Sequence, residues 1–240
     1  MGRVISLWLP RFATDRLRLR QRAEGGGAPT RALVTTLAVG GRSLVAAVCA
    51  EGIVICAENP SSTLRKTSEI YERIAFGGVG KLDEYETLRK SGVRYADMRG
   101  YSFSREDVAG KSLANEYSNV LGGVFTREMK PLEVEILVVE IKEKGSALYQ
   151  IRYDGSMSDM THFATIGGDG DKLGDLIRAS WKPGMPLKDA AKLARRALAG
   201  SGNSGSIEDL DEKSLEIAIL DRTRTGRTFR RIVGEEARAL

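Results

Sequence analysis

The chain has a single histidine, His162, and so every scheme that needs an imidazole must run through that residue. A Ser-His-Asp or Cys-His site is restricted accordingly. His162 stands just before Phe163 at an expected strand start, the setting of a structural or surface histidine. The two cysteines, Cys49 and Cys56, lie seven apart on an expected hairpin. Two cysteines make no disulfide framework, and with one histidine they make no zinc set of familiar spacing. Neither a metal site nor a cofactor is expected. Two glycine-rich stretches have the context of phosphate or cation loops. Gly77-Gly78-Val79-Gly80-Lys81 follows an apolar run and opens a helix, but it lacks the G-x-x-x-x-G-K-[ST] spacing, and Leu82 replaces the magnesium-reaching hydroxyl. Gly167-Gly168-Asp169-Gly170-Asp171 has no bidentate glutamate at calcium-loop distance. Both read as tight strand-to-helix turns. A third stretch, EGIVICAENPSSTLRK (51–66), runs from an apolar segment into a carboxylate, then Asn-Pro-Ser-Ser, then two cations. It is either an edge that carries chemistry or a surface on which something docks.

The elements that must position these residues follow from periodicity. Ala32 to Val39, Ser43 to Cys49 and Ile53 to Ala57 read as strands buried on both faces, the second and third joined by a turn at Glu51-Gly52. Ile70 to Val79 reads as one further strand. Two amphipathic helices follow, one with Val79, Leu82, Tyr85 and Leu88 on a face, the next with Leu113, Tyr117, Val120, Leu121, Val124 and Phe125. A loop over Thr126 to Pro131 leads into an apolar segment, Leu132 to Ile141. Strands are expected near Leu148 to Tyr153 and Phe163 to Ile166, with a turn at Asp154-Gly155 between them. A second helix pair carries Leu173, Leu176, Ile177 and Trp181, then Leu187, Ala190, Ala191, Ala194, Ala197 and Leu198. Gly200 to Ser206 reads as a loop. Leu215 to Leu220 and Thr228 to Val233 close the pattern as strands, with a last helical turn over Glu235 to Leu240. Strands come in clusters and helices in pairs between them. Two stacked sheets with a helix pair outside each satisfy every element, an α+β, four-layer α-β-β-α sandwich of the N-terminal-nucleophile hydrolase type.

Composition narrows the function classes. At 42% hydrophobic residues, 240 residues can bury a large core. No apolar run approaches the roughly 20 residues of a membrane span, and MGRVISLWLP runs too quickly into arginines for a signal peptide. A reducing, cytoplasmic setting is expected. The net charge of +5 is local. Residues 1 to 42 hold eight arginines against Asp15 and Glu24, whereas the remaining 198 residues balance to −1. A nucleic-acid face across the body is therefore not expected. The Arg-rich head leaves open a nucleic-acid-associated protein.

From about Arg42 onward the chain resembles the α-type subunits of the 20S proteasome in their actinobacterial form. The segments that carry the likeness are AENPSSTLRKTSEIYERIAF (57–76), GKLDEYETLRKSGVRYADMRGYSFSREDV (80–108), LANEYSNVLGGVFT (113–126), KPLEVEILVVEI (130–141), YDGS (153–156) and FRRI (229–232). The resemblance implies a non-catalytic subunit of a threonine-type endopeptidase complex. Such subunits form homo-heptameric rings over the proteasome β subunits, gate the passage of unfolded protein substrates, and dock an AAA+ ATPase ring or other activator through its C-terminal tails. Substrates in that system commonly carry a small protein modifier.

In that family the catalytic β subunits attack with an N-terminal threonine whose own α-amine is the base. An aspartate about sixteen residues on, at the end of the second strand, and a more distant lysine complete their site. Here Glu58 ends the second strand, and counting back sixteen gives Arg42, which cannot attack. Arg73 or Ile74 falls about where the lysine is needed. Thr35-Thr36 resembles a mature β start, but the count from Thr35 reaches Glu51, in the turn. No catalytic residue is therefore expected, and a β-like peptidase matured near Thr35 is the rival reading.

The resemblance also implies site residues. Lys66 matches the lysine that meets the terminal carboxylate of activator tails, and Met129 and Lys130 fall in the loop that faces the axial channel. Tyr95 to Arg105 lies where inter-subunit and α–β contacts are expected, unless it is a plain surface β-excursion. The domain begins at 42 and runs to 240. Residues 1–41 form a divergent basic segment in which Thr14 or Asp15 could cap a helix. VISLWLPRFATDRLRLR instead resembles the opening strand of inactive Y-family polymerase homologues. A fusion, a misassigned start and a divergent gate stay open there.

Overall fold

The computed structural model describes residues 42–59, 61, 63–201 and 215–240. The expected strand at Ala32 to Val39, Thr35-Thr36, the Arg-rich head and most of Gly200 to Ser206 lie outside them. Among the described residues, ten strands form two five-stranded antiparallel sheets. The first sheet has the order β10-β9-β2-β1-β8, from β1 (Leu44–Cys49), β2 (Gly52–Glu58), β8 (Phe163–Ile166), β9 (Leu215–Asp221) and β10 (Phe229–Ile232). The second has the order β3-β4-β5-β6-β7, from β3 (Thr67–Tyr71), β4 (Ile74–Gly80), β5 (Val134–Ile141), β6 (Ser146–Ile151) and β7 (Met157–Met160). Helices α1 (Leu82–Ser102) and α2 (Gly110–Arg127), with a 3-10 turn at Arg105–Asp107 between them, cover the second sheet. Helices α3 (Gly170–Ser180) and α4 (Leu187–Ser201) cover the first, and α5 (Glu235–Ala239) ends the chain.

The continuous apolar strands are explained by cover on both faces. Along β1 and β2, Leu44, Ala46, Ile53, Ile55 and Ala57 point between the sheets, where they meet Ala75, Val79, Leu137 and Val139. The alternate residues Val45, Ala47, Cys49, Val54 and Cys56 pack under the alanine-rich face of α4. The second sheet turns Phe76, Ile136, Val138 and Tyr149 toward Tyr85 and Leu88 of α1 and Leu113, Tyr117 and Leu121 of α2. Three apolar layers separate four structural ones, so the expected α-β-β-α sandwich stands.

Several local expectations are corrected. Ile70 to Val79 is two strands, because Glu72 and Arg73 turn the chain between β3 and β4. Val79 belongs to β4 and faces the intersheet core, so it is not on the first helix. Gly77 and Gly78 also lie inside β4. A Cβ on Gly77 would come within 2.8 Å of Leu44 Cδ1, and one on Gly78 within 2.9 Å of the Tyr85 ring. Close packing of sheet on sheet and helix on sheet, and no loop function, excludes side chains there. Only Gly80 (φ 108°) makes the turn, with Lys81 before the first residue of α1. Strand β7 was not expected, since MSDM carries no apolar alternation and sits at the sheet edge. Leu176, assigned to the buried face of α3, is exposed. Residues 95–102 continue α1 as helix, so the β-excursion is wrong. The loop expected from Thr126 starts after Arg127.

Candidate docking site at one lip of the sandwich

The start of β1, the end of β2, the start of β3, the start of β9 and the end of β10 converge at one lip. The pairing fixes this, with Leu44 opposite Ala57, Ala57 opposite Glu216, and Ile217 opposite Ile232. Glu216 follows the alternation of β9 into the intersheet side and is 5% exposed. Its Oε1 accepts from Thr67 N (3.2 Å), from Arg231 Nη1 (2.5 Å) and from Thr67 Oγ1. Its Oε2 accepts from Asn59 Nδ2 (2.9 Å) and Lys66 N (3.0 Å). Burial pushes the carboxyl up, but the hydrogen bonds from Thr67, Asn59 and Lys66 and the charge of Arg231 outweigh it and hold the group below its ordinary value. Arg231 also donates Nη2 to Thr67 O at 2.7 Å. One carboxylate and one guanidinium on the first sheet thus clamp the head of β3 on the second.

The loop between β2 and β3 is folded on itself. Asn59 Nδ2 also donates to Leu64 O (2.7 Å), and Asn59 Oδ1 accepts from Ser61 N (3.1 Å), an Asx turn. Ser61 Oγ accepts from Leu64 N at 3.0 Å. These bonds explain the Asn and Ser of AENPSS as local scaffolding. They leave the last loop residue, Lys66, with its backbone pinned by Glu216 and its side chain at the lip.

Lys66 Nζ donates to Arg42 O at 2.5 Å, and Arg42 Nη1 pairs with Glu58 Oε1 at 2.5 Å. Burial, with the Arg42 charge, pushes the Lys66 ammonium down to about 8, against the pull of Glu58 and Glu216. Arg42, Glu58 and Lys66 therefore form one contiguous cluster. This corrects the expectation that Arg73 or Ile74 takes the lysine position: Lys66 is the cation beside Arg42 and Glu58, because the β2–β3 loop is short. Arg42, the residue sixteen before Glu58, thus contributes a guanidinium to this lip. Glu51, the residue reached by counting from Thr35, lies at the far end of the β1–β2 hairpin. There its Oε2 accepts from Leu187 N at 2.8 Å and caps α4.

Met129 and Lys130 lie together after α2. Met129 is 73% exposed, and Lys130 pairs with Glu133 at 3.0 Å. His162 stacks on Trp181, ring centroids 4.3 Å apart. Both cysteine thiols are free and buried, and burial pushes Cys56 up to about 12. No His/Cys/Asp/Glu group that could hold a metal occurs among the described residues.

The profile of the family described as "Proteasome subunit" matches residues 38–220. The chain belongs to the proteasome subunit family. Among its relatives, the "Proteasome subunit alpha" of Gordonia bronchialis is 50% identical over 201 residues, covering 80% of this chain and 77% of that protein. The protein of the same name in Sanguibacter keddieii is 48% identical over 196 residues, covering 81% and 77%. That of Saccharopolyspora erythraea is 48% identical over 202 residues, covering 83% and 78%. This proteasome subunit is therefore of the α type. Sequence reasoning reached Lys66 through the resemblance but missed what holds it. Glu216 and Arg231 carried a signal: each is a charge set in a strand otherwise apolar enough to be buried, LEIAIL and FRRI, and such a charge needs a partner.

Proposed function

We propose that this chain is the non-catalytic α subunit of a 20S proteasome core, assembling as a homo-heptameric ring over β subunits that hold the threonine peptidase sites. The α-type domain spans residues 42–240, and residues 1–41 are a divergent head. The ring gates the admission of unfolded protein substrates, Met129 and Lys130 facing the axial channel. It docks an AAA+ ATPase ring, or another activator, through C-terminal tails that end on Lys66. The setting is cytoplasmic and the degradation modification-dependent. Among the described residues no helix is long and apolar enough to cross a membrane. The observation that carries the reading is the lip itself. Arg42 fills the place of a nucleophile beside Glu58, while Lys66 presents an ammonium from a loop pinned by Glu216.

One lysine–carboxylate contact at an open lip contributes only on the order of 1 kcal/mol. A ring repeats it, and once one tail is seated its neighbours bind at high effective concentration, raising avidity by roughly 10²–10⁴. Lys66→Glu is expected to leave sevenfold rings intact by negative-stain imaging and to lower ATPase-stimulated degradation by the co-assembled particle. Degradation equal to wild type would remove the assignment. The rival, a peptidase matured before Thr35, is disfavoured by Glu51, which caps α4 away from the lip. N-terminal sequencing and a fluorogenic peptide assay on the isolated chain separate the two.

A further inference from the structure

The Arg42–Glu58 pair is the feature of the lip that the docking role of Lys66 does not use. Arg42 is 51% exposed at its side chain and Glu58 22%, and they meet at 2.5 Å. Arg42 is joined to Lys66 through its own carbonyl, which accepts the ammonium. Two cations therefore stand side by side at the lip. The carboxylates whose charges act on the Lys66 ammonium are Glu58 and Glu216. Glu216 is committed to five donors, Arg231 among them. Glu58, at the end of β2, is the carboxylate that Arg42 holds in the resting chain.

We propose that Arg42 and Lys66 form a two-pronged receptor for a chain-terminal carboxylate, and that Glu58 is its internal surrogate, occupying Arg42 until an incoming terminus displaces it. The proposal rests on the docking role of Lys66. A guanidinium offers a carboxylate two parallel N–H donors, so Arg42 supplies orientation where the ammonium supplies a point charge. Displacement exchanges one Arg–carboxylate pair for another, and Glu58 is released to water at the lip. Glu58 thus sets the threshold for docking: it costs every terminus the same free energy, so a terminus without other contacts falls below that threshold first.

The test uses the assembled α–β particle at pH 6.5, where the Lys66 ammonium is protonated. The probe is a fluorescent peptide of the last eight residues of an AAA+ ATPase activator from the same organism, as free acid and as C-terminal amide. The amide keeps any internal acids and separates the terminus from side-chain carboxylates. Wild type is expected to prefer the acid. Arg42→Gln is expected to weaken the acid about fivefold and leave the amide unchanged, and Glu58→Gln to tighten the acid about two- to fivefold. Sevenfold rings and an unchanged melting midpoint serve as the folding control. If Lys66→Gln leaves acid binding unchanged, the docking role itself falls. If Lys66→Gln abolishes the acid preference while Arg42→Gln and Glu58→Gln keep the wild-type acid-to-amide ratio, the two-pronged receptor falls and the docking role survives.

Discussion

Replacing Glu216 by alanine removes the acceptor of five hydrogen bonds at once. Thr67 N and Lys66 N are left in a lip that Glu216 fills at 5% exposure, and Arg231 loses the carboxylate 2.5 Å away. Removing one partner of a buried pair typically costs about 3–5 kcal/mol, because the remaining charge stays desolvated. For a chain of this size that corresponds to a melting midpoint lower by roughly 6–20 °C. Glu216→Leu with Arg231→Met is expected to cost less than Glu216→Ala, since nothing charged is left behind. The pH dependence has a defined sign. The folded-state carboxyl lies below its unfolded value, so its contribution is present above roughly pH 4.3 and is lost as pH falls through the folded value. The gap between wild type and Glu216→Gln is therefore expected to close in acid. Thermal unfolding by circular dichroism at pH 7 and pH 3.5 measures both effects. A Glu216→Ala midpoint within 2 °C of wild type, or a double variant worse than the single one, would refute the clamp.

Other outcomes follow from the same geometry. Gly92→Ala, which in an ordinary helix stabilises by about 1 kcal/mol, is expected to destabilise by about 1–3 kcal/mol. Its Cβ would fall 1.8 Å from Tyr117 Oη. Tyr117→Phe, which removes a buried hydroxyl without a hydrogen-bond partner among the described residues, should offset much of that loss in the double variant, and chemical denaturation of all three reads the coupling. Activator docking is expected to weaken as pH rises from 7 to 9, because Lys66 carries its charge only below about 8. Lys66→Arg should flatten that profile, since a guanidinium stays charged, and a tail-peptide titration across pH tests it. Glu51→Ala removes the side-chain cap of α4 and should cost about 1 kcal/mol in thermal unfolding.

The layered sandwich was legible because period and cover are sequence properties. Strands as apolar as LVAAVC and GIVICAE must be buried on both faces, and the four long helices announced their stripes. Where the reading failed, local pattern gave no signal. Glu72-Arg73 breaks a strand with two residues that no turn rule singles out, and β7 has no buried face to alternate. The glycines of β4 read as a loop because their cause, Leu44 and Tyr85 pressing from either side, lies in other elements. Lys66 was reachable by likeness, but its partners were not. Glu216 is 150 residues away, and Arg42 is 24 away.

The amino-acid order alone determined the sandwich, the α-type kinship and the absence of a threonine at the position sixteen before Glu58, since each is carried by residue types and their spacing along one chain. Only the folded chain decided that Arg42, Glu58, Lys66 and Glu216 share a lip. Their meeting depends on strand register and on how two sheets stack, and hydrogen bonds of 2.5–3.0 Å across elements far apart in sequence leave no periodic trace.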